Sequence, residues 1–465
     1  MNVLKKIGFS KIALVVVIIV VGYIDNNLGL WKGEGRVIVH DVYYYYSYLP
    51  VTFIYHDLAL EKIENGAFYN EQYVLWPKET PIGKKVISAS TGLAYLYFPF
   101  FIVGHWYAQI FDYAVTGYSL PYRFALMLSS FVYLVIGLVF LRKLLVKYFS
   151  ELVTGIVILV LPLTTNMLWY LVVESPMSHV YNFALISVFL YLTDVWYEKS
   201  TVKRTLMLGL LTGLIALIRP TNILVLLVFL LWDVKTLKEF GARILFFLGS
   251  WKKVLTMIAA FILVWMPQFI YWKIQAGQFL YFSYPDDQGF FFGNPQIINI
   301  LFSWRKGWFI YTPVMIFAMA GLPILWKSYR KFIIPVLLFL MVNVYVLSSW
   351  WDWWFGGGFG LRAFIDMYGV MALPMAAFIT WGLSRKTVLK YVLIILFVLI
   401  TVRSTFHHIQ YHYGAIHWVA MSKEAYFDSF WRIRPSDKFN DLLREPDYDL
   451  ARKGIYKHVD ESENK

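Results

Sequence analysis

The segment Ile12–Leu28, "IALVVVIIVVGYIDNNL", lies close to the start of the chain and is almost entirely apolar. A helix that crosses a lipid bilayer needs about 20 predominantly apolar residues. The segment resembles a signal anchor, and because it lacks a small-residue cleavage site we expect it to remain as a spanning helix. It therefore predicts an α-helical membrane protein.

The composition of the 465-residue chain supports the same fold class. Hydrophobic residues make up 59% and charged residues only 15%, whereas soluble domains usually carry about 25% charged residues. A net charge of +13 would suggest nucleic acid in a soluble protein, but in a membrane protein the location of the charges matters more, so we expect no nucleic-acid partner. The chain has no cysteine, which excludes disulfides, thiolate chemistry and cysteine-ligated zinc.

Eleven apolar segments are candidate membrane spans, which predicts an all-α polytopic protein. They are Ile12–Leu28, Tyr122–Leu141, Leu152–Leu171, His179–Trp196, Leu206–Leu217, Thr221–Trp232, Val254–Lys273, Phe309–Trp326, Phe332–Ser349, Phe364–Leu383 and Leu389–Val402. A further apolar stretch, Ser90–Phe111, contains Pro99, His105 and Gln109. We expect it to form a helix in the outer interface without crossing the bilayer.

The basic residues set the orientation, because short cytoplasmic loops collect lysine and arginine. With Lys5, Lys6 and Lys11 inside, every predicted inner loop holds a basic cluster, while the outer side keeps Arg219, Lys273, Arg305, Lys306 and Arg362. If Ser90–Phe111 crossed, this pattern would invert. The prediction is a multi-pass membrane protein, with the N-terminus inside and the C-terminus outside.

Two boundaries follow from this topology. We expect a transmembrane domain over residues 1–403, which includes an outer loop at 30–121, and a small polar outer tail at 404–465. Within the domain, Leu206–Trp232 is broken at Arg219–Pro220, where proline stops a helix. A hairpin with Arg219 at its turn is the favoured interpretation, and a single kinked helix is the alternative.

"VIVHDVYYYYSYLP", Val37–Pro50, places His40 and Asp41 directly before four tyrosines that include Tyr44. A carboxylate beside aromatic walls at a membrane boundary can accept a proton from a substrate hydroxyl. The tyrosines would supply rings for sugar faces and hydroxyls for hydrogen bonds. The alternative is an aromatic belt that happens to contain an acid.

Two further segments on the predicted outer side carry polar groups between apolar helices. Glu174 and His179 share a very short loop, where they must face a cavity or each other. Arg219 suits an anionic phosphate, since its guanidinium presents five donors in a fixed fork, although snorkelling to the interface would also explain it. We also expect Arg219 to be the most buried cation of the chain.

"SSWWDWWFGGGFGLRAF", Ser348–Phe364, combines four tryptophans, Asp352, a glycine run and Arg362. The glycines allow close approach of the backbone, the tryptophans can stack on an isoprenoid or a sugar, and Arg362 can bind phosphate. The alternative interpretation is that the segment is an aromatic membrane anchor with a flexible turn. "SWRKGWFIYTP" adds Arg305 and Lys306 at the same boundary.

Metal sites are only weakly indicated. The spacing of His408 and His412 invites a zinc interpretation, with His407 and His417 nearby, but a wet interfacial face explains these residues better. The adjacent Asp286 and Asp287 could bind a divalent cation. We therefore assign no metal ligand and no definite cofactor, and leave a divalent cation open.

Five features follow one another along the chain: the acid after the first helix, "LPYRFALMLSS", "GLIALIRPTN", "RKGWFIYTP" and "WWFGGGFGLR". In this order they resemble the GT-C superfamily of integral-membrane glycosyltransferases. The members most similar in layout are the protein O-mannosyltransferases, the lipid A aminoarabinose transferase and their uncharacterised bacterial relatives. The resemblance implies a GT-C fold, a place in the bacterial inner (plasma) membrane and a polyprenyl-phosphate sugar donor. It also implies transfer on the periplasmic or extracellular side, with Asp41 as the catalytic acid. Protein O-mannosyltransferases usually show an Asp-Glu pair where this chain has His40-Asp41-Val42, and the Asp-x-Asp of oligosaccharyltransferases is absent, which argues against assuming a metal.

The expected function is therefore that of a cell-envelope glycosyltransferase acting on a glycan, lipid or protein hydroxyl. Asp41 would be the base in a single inverting displacement, while Arg219, Arg362, Lys306 and Arg305 would hold the lipid phosphate. Glu174, His179, His40, Asp352 and Tyr44 would line the pocket. The alternatives are a transporter or flippase of lipid-linked saccharide, which the missing internal repeat disfavours, and a non-catalytic assembly factor.

Overall fold

The computed structural model describes residues 8–62 and 77–456, and within them the chain is mainly helical. The α-helices are α1 Phe9–Leu28, α2 Asp41–Phe53, α3 Gly92–Ile110, α4 Leu120–Leu145, α5 Glu151–Thr164, α6 Met167–Val172, α7 Ser178–Glu198, α8 Val202–Ile218, α9 Val225–Leu230, α10 Leu237–Gly249, α11 Trp251–Ala276, α12 Ile297–Phe302, α13 Trp308–Tyr311, α14 Met315–Ser328, α15 Arg330–Ser348, α16 Tyr368–Leu383, α17 Thr387–His412, α18 Lys423–Asp428 and α19 Tyr448–Ala451. Short 3₁₀ helices cover Leu30–Lys32, Pro220–Leu224, Arg362–Met367 and Phe439–Leu442. An antiparallel pair of two-residue strands, β1 Lys78–Glu79 and β2 Lys85–Val86, completes the described elements.

Seven helical segments in the described ranges are long and apolar enough to cross a membrane, which confirms the prediction of an α-helical multi-pass membrane protein. They are Phe9–Lys32, Leu120–Leu145, Ser178–Glu198, Trp251–Ala276, Arg330–Ser348, Arg362–Leu383 and Thr387–His412. The count of eleven is not confirmed. The other four predicted spans correspond to shorter elements, for example α5 followed by α6 in place of Leu152–Leu171, and α14 in place of Phe309–Trp326.

The two ends of α7 carry different chemistry. Near its C-terminus the buried carboxylate of Asp194 binds Lys147, accepts from Lys331 at 2.6 Å and accepts from the Tyr148 hydroxyl at 2.6 Å. Near its N-terminus lies His179. At a rise of about 1.5 Å per residue, the helix separates His179 and Asp194 by roughly 22 Å. Basic clusters from separate predicted inner loops thus meet at one end; Lys5 and Lys6 lie outside the described residues.

The chain turns back at Arg219, as the hairpin interpretation predicted. Thr205, early in α8, accepts the indole N–H of Trp196 at 2.8 Å, at the C-terminal end of α7. Arg219 lies beside His179 at the opposite end. The chain then returns to the C-terminal end of α7, where the carbonyl of Phe229 accepts a hydrogen bond from the hydroxyl of Tyr197 at 2.8 Å. Both halves therefore run along α7, and Arg219 lies at the tip.

Close helix packing fixes the position of this tip. A Cβ atom on Gly209 of α8 would lie 2.6 Å from the carbonyl oxygen of Met257 on α11, and one on Gly213 would lie 3.0 Å from that of Phe261. Small residues four apart let membrane helices approach closely, and van der Waals packing then stabilises the pair. The two glycines thus seat α8, and with it Arg219, against α11.

The segments predicted to lie outside include the helix α3 and a packed C-terminal tail. Ser90–Phe111 contains α3, which is not among the candidate spans of the described residues. Past the predicted boundary at residue 403, α17 continues to His412. The tail then folds back, since the carbonyls of Trp418 and Val419 accept from Gly358 and Arg305. The division at 403/404 stays a prediction.

Candidate functional site

Asp41 is the first residue of α2 and lies at the end of the bundle opposite Asp194. His40 precedes it with a φ of +49°, in the left-handed region, and is exposed. A negative charge in the first turn of a helix is favoured by the helix dipole. The Asp41 side chain is 45% exposed, and one carboxylate oxygen lies 3.0 Å from the guanidinium of Arg362. The sequence predicted both residues but not their pairing.

Asp366 is a central residue of the site that the sequence analysis missed. It lies four residues after Arg362 on the same 3₁₀ helix and is 3% exposed. Its carboxylate contacts Nδ1 of His179 at 2.9 Å, Asn222 at 2.6 Å and Asn182 at 3.2 Å. The available signal was an acid inside a predicted span, because ionisable residues there are costly and usually functional.

Arg219 approaches the same carboxylate. Its guanidinium lies 3.6 Å from Asp366 and 3.1 Å from Nδ1 of His179, and packs over the ring of Phe355 at 5.8 Å. Its side chain remains 19% exposed, so the expectation that Arg219 is the most buried cation is wrong. Arg305 and Lys306 are the more buried pair, at 4% and 2%, because the folded-back tail and the glycine loop cover them.

The glycine run forms a tight loop around Lys306. Gly356, Gly358 and Gly360 all have positive φ, a backbone conformation that disfavours side chains. A Cβ atom on Gly358 would lie 2.4 Å from the Tyr170 hydroxyl, while the ammonium of Lys306 donates to the Gly358 carbonyl. The predicted close backbone approach is therefore seen here.

Burial shifts the charges of this loop region towards neutrality. It lowers the pKa of Lys306 to about 7, with the neighbouring Arg362 acting in the same direction. Burial also raises the pKa of Asp352 to about 7, against the opposing effect of Arg362. The pKa of Arg305 falls to about 10 for the same reason. The Oδ1 atom of Asp352 is enclosed and makes no hydrogen bond in the described part of the chain.

Aromatic side chains flank the Asp41–Arg362 pair. Tyr45 and Tyr284 both interact electrostatically with Asp41, Arg219 and Arg362, and burial raises the pKa of each phenol. Tyr44 is half-buried. The expected stacking role is wrong for two of the tryptophans. Trp353 and Trp354 are 2% and 3% exposed and pack against each other at 5.4 Å, so they offer no free face to a ligand.

Glu174 lies beside this cluster but does not pair with His179. Its carboxylate accepts the indole N–H of Trp169 at 2.9 Å, and it acts electrostatically on Lys306 and Arg362. The two polar residues of the short loop therefore have different partners, because α7 begins between them and turns His179 inwards to Asp366.

The residues considered for metal binding are occupied by other contacts. Asp286 pairs with Lys78 at 2.6 Å and Asp287 with Arg452 at 3.2 Å. His408 is buried and contacts the Thr165 carbonyl at 2.8 Å, whereas His412 is exposed. Within residues 8–62 and 77–456, no group of three histidine or acidic side chains is placed to hold a metal ion.

Fold and site together define a multi-span helical protein whose one end gathers an acid, two arginines and a buried carboxylate–imidazole pair. No protein-family model matches the chain, and no curated protein matches it. Among solved structures, the chain is similar to the Archaeoglobus fulgidus oligosaccharyltransferase in the apo form, with 12% identity, a TM-score of 0.49, and coverage of 98% of this chain and 61% of that one. It is also similar to AglB, the oligosaccharyltransferase of the same archaeon, in complex with an inhibitory peptide and a dolichol-phosphate (11% identity, TM-score 0.45, coverage 92% and 60%). The chain thus spans about three fifths of the length of each, and similarity at this level assigns no activity.

Proposed function

We propose that the chain is a GT-C glycosyltransferase of the bacterial plasma membrane. It would move a sugar from a polyprenyl-phosphate donor to an acceptor hydroxyl on the periplasmic or extracellular face, with inversion. The observation that carries this proposal is the ion pair of Asp41 and Arg362, with Arg219 close by, at the end of the bundle opposite the basic clusters. A base and two phosphate ligands are what such a transfer requires.

The two arginines form the phosphate site. A guanidinium offers donors in a planar fork that matches two phosphate oxygens, and charge-assisted hydrogen bonds of this kind are the strong ones. Both guanidiniums have one acidic partner, Asp41 for Arg362 and Asp366 for Arg219. A phosphate would therefore enter a site whose donors are already oriented, which lowers the entropy cost of binding.

Asp41 serves as the base once the donor is bound. With the phosphate on Arg362, the carboxylate loses part of its hold on the guanidinium and is free to accept a proton. Its 45% exposed side chain can be reached by an acceptor from outside. The acceptor oxygen then attacks the anomeric carbon from the face opposite the phosphate, which inverts the configuration. Glycan, lipid and protein hydroxyls all suit this step.

The remaining predicted residues support this arrangement. Lys306 holds the glycine loop through the Gly358 carbonyl. Arg305 anchors the tail through Val419 at 2.7 Å. Glu174, Asp352, His40 and Tyr44 belong to the rim and lining of the pocket, where polar groups can bind sugar hydroxyls.

The test is transfer from labelled polyprenyl-phosphate sugars by purified wild-type protein and by Asp41→Asn. The amide keeps the shape of the side chain but cannot act as the base, so turnover should fall by about 10²–10⁴-fold. Asp287→Asn is the matched control, because Asp287 is also about half exposed, at 52%, and also pairs with an arginine. The control should keep wild-type turnover, and Asp41→Asn with undiminished turnover would remove Asp41 from the reaction.

A further inference from the structure

Helix α10 is attached to the bundle on both sides along the chain. Just before the helix, the backbone N–H of Asp233 donates to the Lys331 carbonyl at 3.2 Å. Just after it, the ammonium of Lys253 donates to the hydroxyl of Ser200, beyond the C-terminal end of α7, at 2.7 Å. Lys331 also binds Asp194. Both ends of α10 therefore meet the end of the bundle that carries the basic clusters, and the helix runs across this end.

Five exposed apolar side chains form a stripe on α10. They are Leu237, Phe240, Ile244, Leu245 and Leu248, which are between 41% and 89% exposed. Spacings of three and four residues place them on one face of the helix. The side towards the bundle holds Arg243, whose guanidinium donates to the Trp232 carbonyl at 2.8 Å, and Phe247, whose ring stacks on Trp196 at 6.3 Å. The apolar stripe thus points away from the bundle.

The apolar stripe continues onto the side of α11 that faces lipid. Only Ser250 separates the two helices. In the candidate span α11, Trp251, Leu255 and Ile258 are 56%, 53% and 48% exposed. With 13 residues, α10 is about 20 Å long and too short to cross a hydrocarbon core of about 30 Å. An amphipathic helix of this kind lies in the plane of the membrane, with its apolar side among the acyl chains.

Basic side chains flank the apolar stripe. The segment from residue 233 to residue 253 has five basic and two acidic residues: Lys235, Lys238, Arg243, Lys252 and Lys253, against Asp233 and Glu239. Both acids contact Lys235, since Asp233 pairs with its ammonium at 2.9 Å and Glu239 accepts from its backbone N–H at 2.7 Å. Lys238 and Lys252 are exposed, and their ammonium groups can bind other anions.

We propose that α10 lies in the leaflet at the basic end of the bundle and binds anionic phospholipids there. The apolar stripe enters the acyl chains, and Lys238 and Lys252 contact the headgroup phosphates. A lysine stem can lie along apolar surface while its ammonium reaches the polar layer, and each lysine near an anionic membrane surface is attracted to it. Under the proposed topology this is the cytoplasmic leaflet. The inference holds whether or not the protein transfers a sugar.

Quenching by lipids at one labelled cysteine tests the proposal. The chain has no cysteine, so Leu248→Cys can carry a bimane fluorophore in the full protein, reconstituted in phosphatidylcholine vesicles. Part of the lipid, either phosphatidylcholine or phosphatidylglycerol, bears a nitroxide on its acyl chain. Both should quench the bimane, and phosphatidylglycerol should quench it more strongly at equal mole fraction. Aqueous iodide should quench it weakly, in contrast to a bimane on Ser384→Cys, an exposed position between α16 and α17.

Two lysine substitutions test the charge separately from the apolar contact. In the labelled Leu248→Cys protein, Lys238→Gln together with Lys252→Gln should lower the preference for phosphatidylglycerol by up to about fivefold for each lysine. Quenching by phosphatidylcholine should not change. The matched control is Lys423→Gln together with Lys438→Gln, two exposed lysines of the tail, and it should keep the preference.

Three results would overturn the proposal. Equal quenching by the two lipids before the lysines are replaced would exclude binding of anionic headgroups. Quenching by iodide and not by lipid would place the apolar stripe in water. Protection from both iodide and lipid would show that a protein surface, such as a second copy of the chain, covers the apolar stripe.

Discussion

Asp352 shows how burial controls charge at the level of a single residue. Its carboxyl lies within electrostatic range of Arg362, Lys306 and Asp41, yet burial is the larger effect and raises its pKa to about 7. The folded protein therefore holds this proton across a pH range in which the unfolded chain, with a pKa near 3.8, has lost it. A group of this kind stabilises the fold at low pH, and the contribution is lost as pH rises through about 7.

This gives a prediction for Asp352→Asn, whose amide stays neutral at every pH. Between about pH 5 and about pH 8 the variant should become more stable relative to the wild type, because only the wild type must bury a charge at the higher pH. Thermal melts in detergent at the two pH values measure the difference. Asp437→Asn, an exposed control, should show no such change, and a constant difference for Asp352→Asn would contradict the account.

The sequence identified most polar residues of the site one at a time but not their partners. The sequence indicates Asp41 as a base beside aromatic walls, and Arg219 and Arg362 as phosphate ligands. It indicates His179 because an ionisable group between apolar helices is costly. Nothing in their spacing indicates that Asp41 meets Arg362 near the other end of the chain. Asp366 was missed because it lies in a segment that the hydrophobicity pattern assigns to a span.

Among the elements, the pairing of α8 with α11 decides where Arg219 lies. The contact depends on Gly209, where a Cβ atom would approach the Met257 carbonyl to 2.6 Å. No flexible side chain can move aside to relieve this approach, because the opposing atom is backbone. The two helices must therefore separate if the glycine is replaced.

Gly209→Ala should accordingly destabilise the protein by about 1–3 kcal/mol, the usual cost of overpacking. Gly241→Ala is the matched control, since Gly241 lies within α10 and a Cβ atom there meets nothing within 4 Å. The control should be neutral, or stabilising by up to about 1 kcal/mol from helix propensity. Equal melting temperatures for the two variants would show that the α8–α11 contact is not tight.

The long apolar helices were predictable because their signal is local. Seven predicted spans have counterparts of sufficient length, whereas the shorter ones depend on packing that a hydrophobicity pattern does not contain. The break at Pro220 was predictable because proline stops a helix. The packing of the tail on the glycine loop was not, because it rests on carbonyls of Trp418 and Val419 and not on any side-chain pattern.

For the whole molecule, the separation of two chemically different ends predicts which end faces the cytoplasm. The chain has no cysteine, so single cysteines can be placed at will. Asp437→Cys on the tail and Ser384→Cys after α16 both lie at exposed positions. On intact cells an impermeant maleimide should label the first and spare the second, by the distribution of basic residues. The reverse labelling would invert the topology. Ser47, which the apolar pattern placed in an outer loop, is unsuitable because it is buried in α2.

The orientation leads to the central claim, which concerns the donor. Arg219 and Arg362 lie at the end that we assign to the outside, where cytoplasmic nucleotide sugars do not reach. The decisive measurement offers the purified protein, in sealed vesicles, one labelled sugar in two forms, as a polyprenyl phosphate and as a nucleotide sugar. The account predicts transfer from the lipid-linked form alone, with loss of transfer in Asp41→Asn. Efficient transfer from the nucleotide sugar with no polyprenyl phosphate present would contradict it.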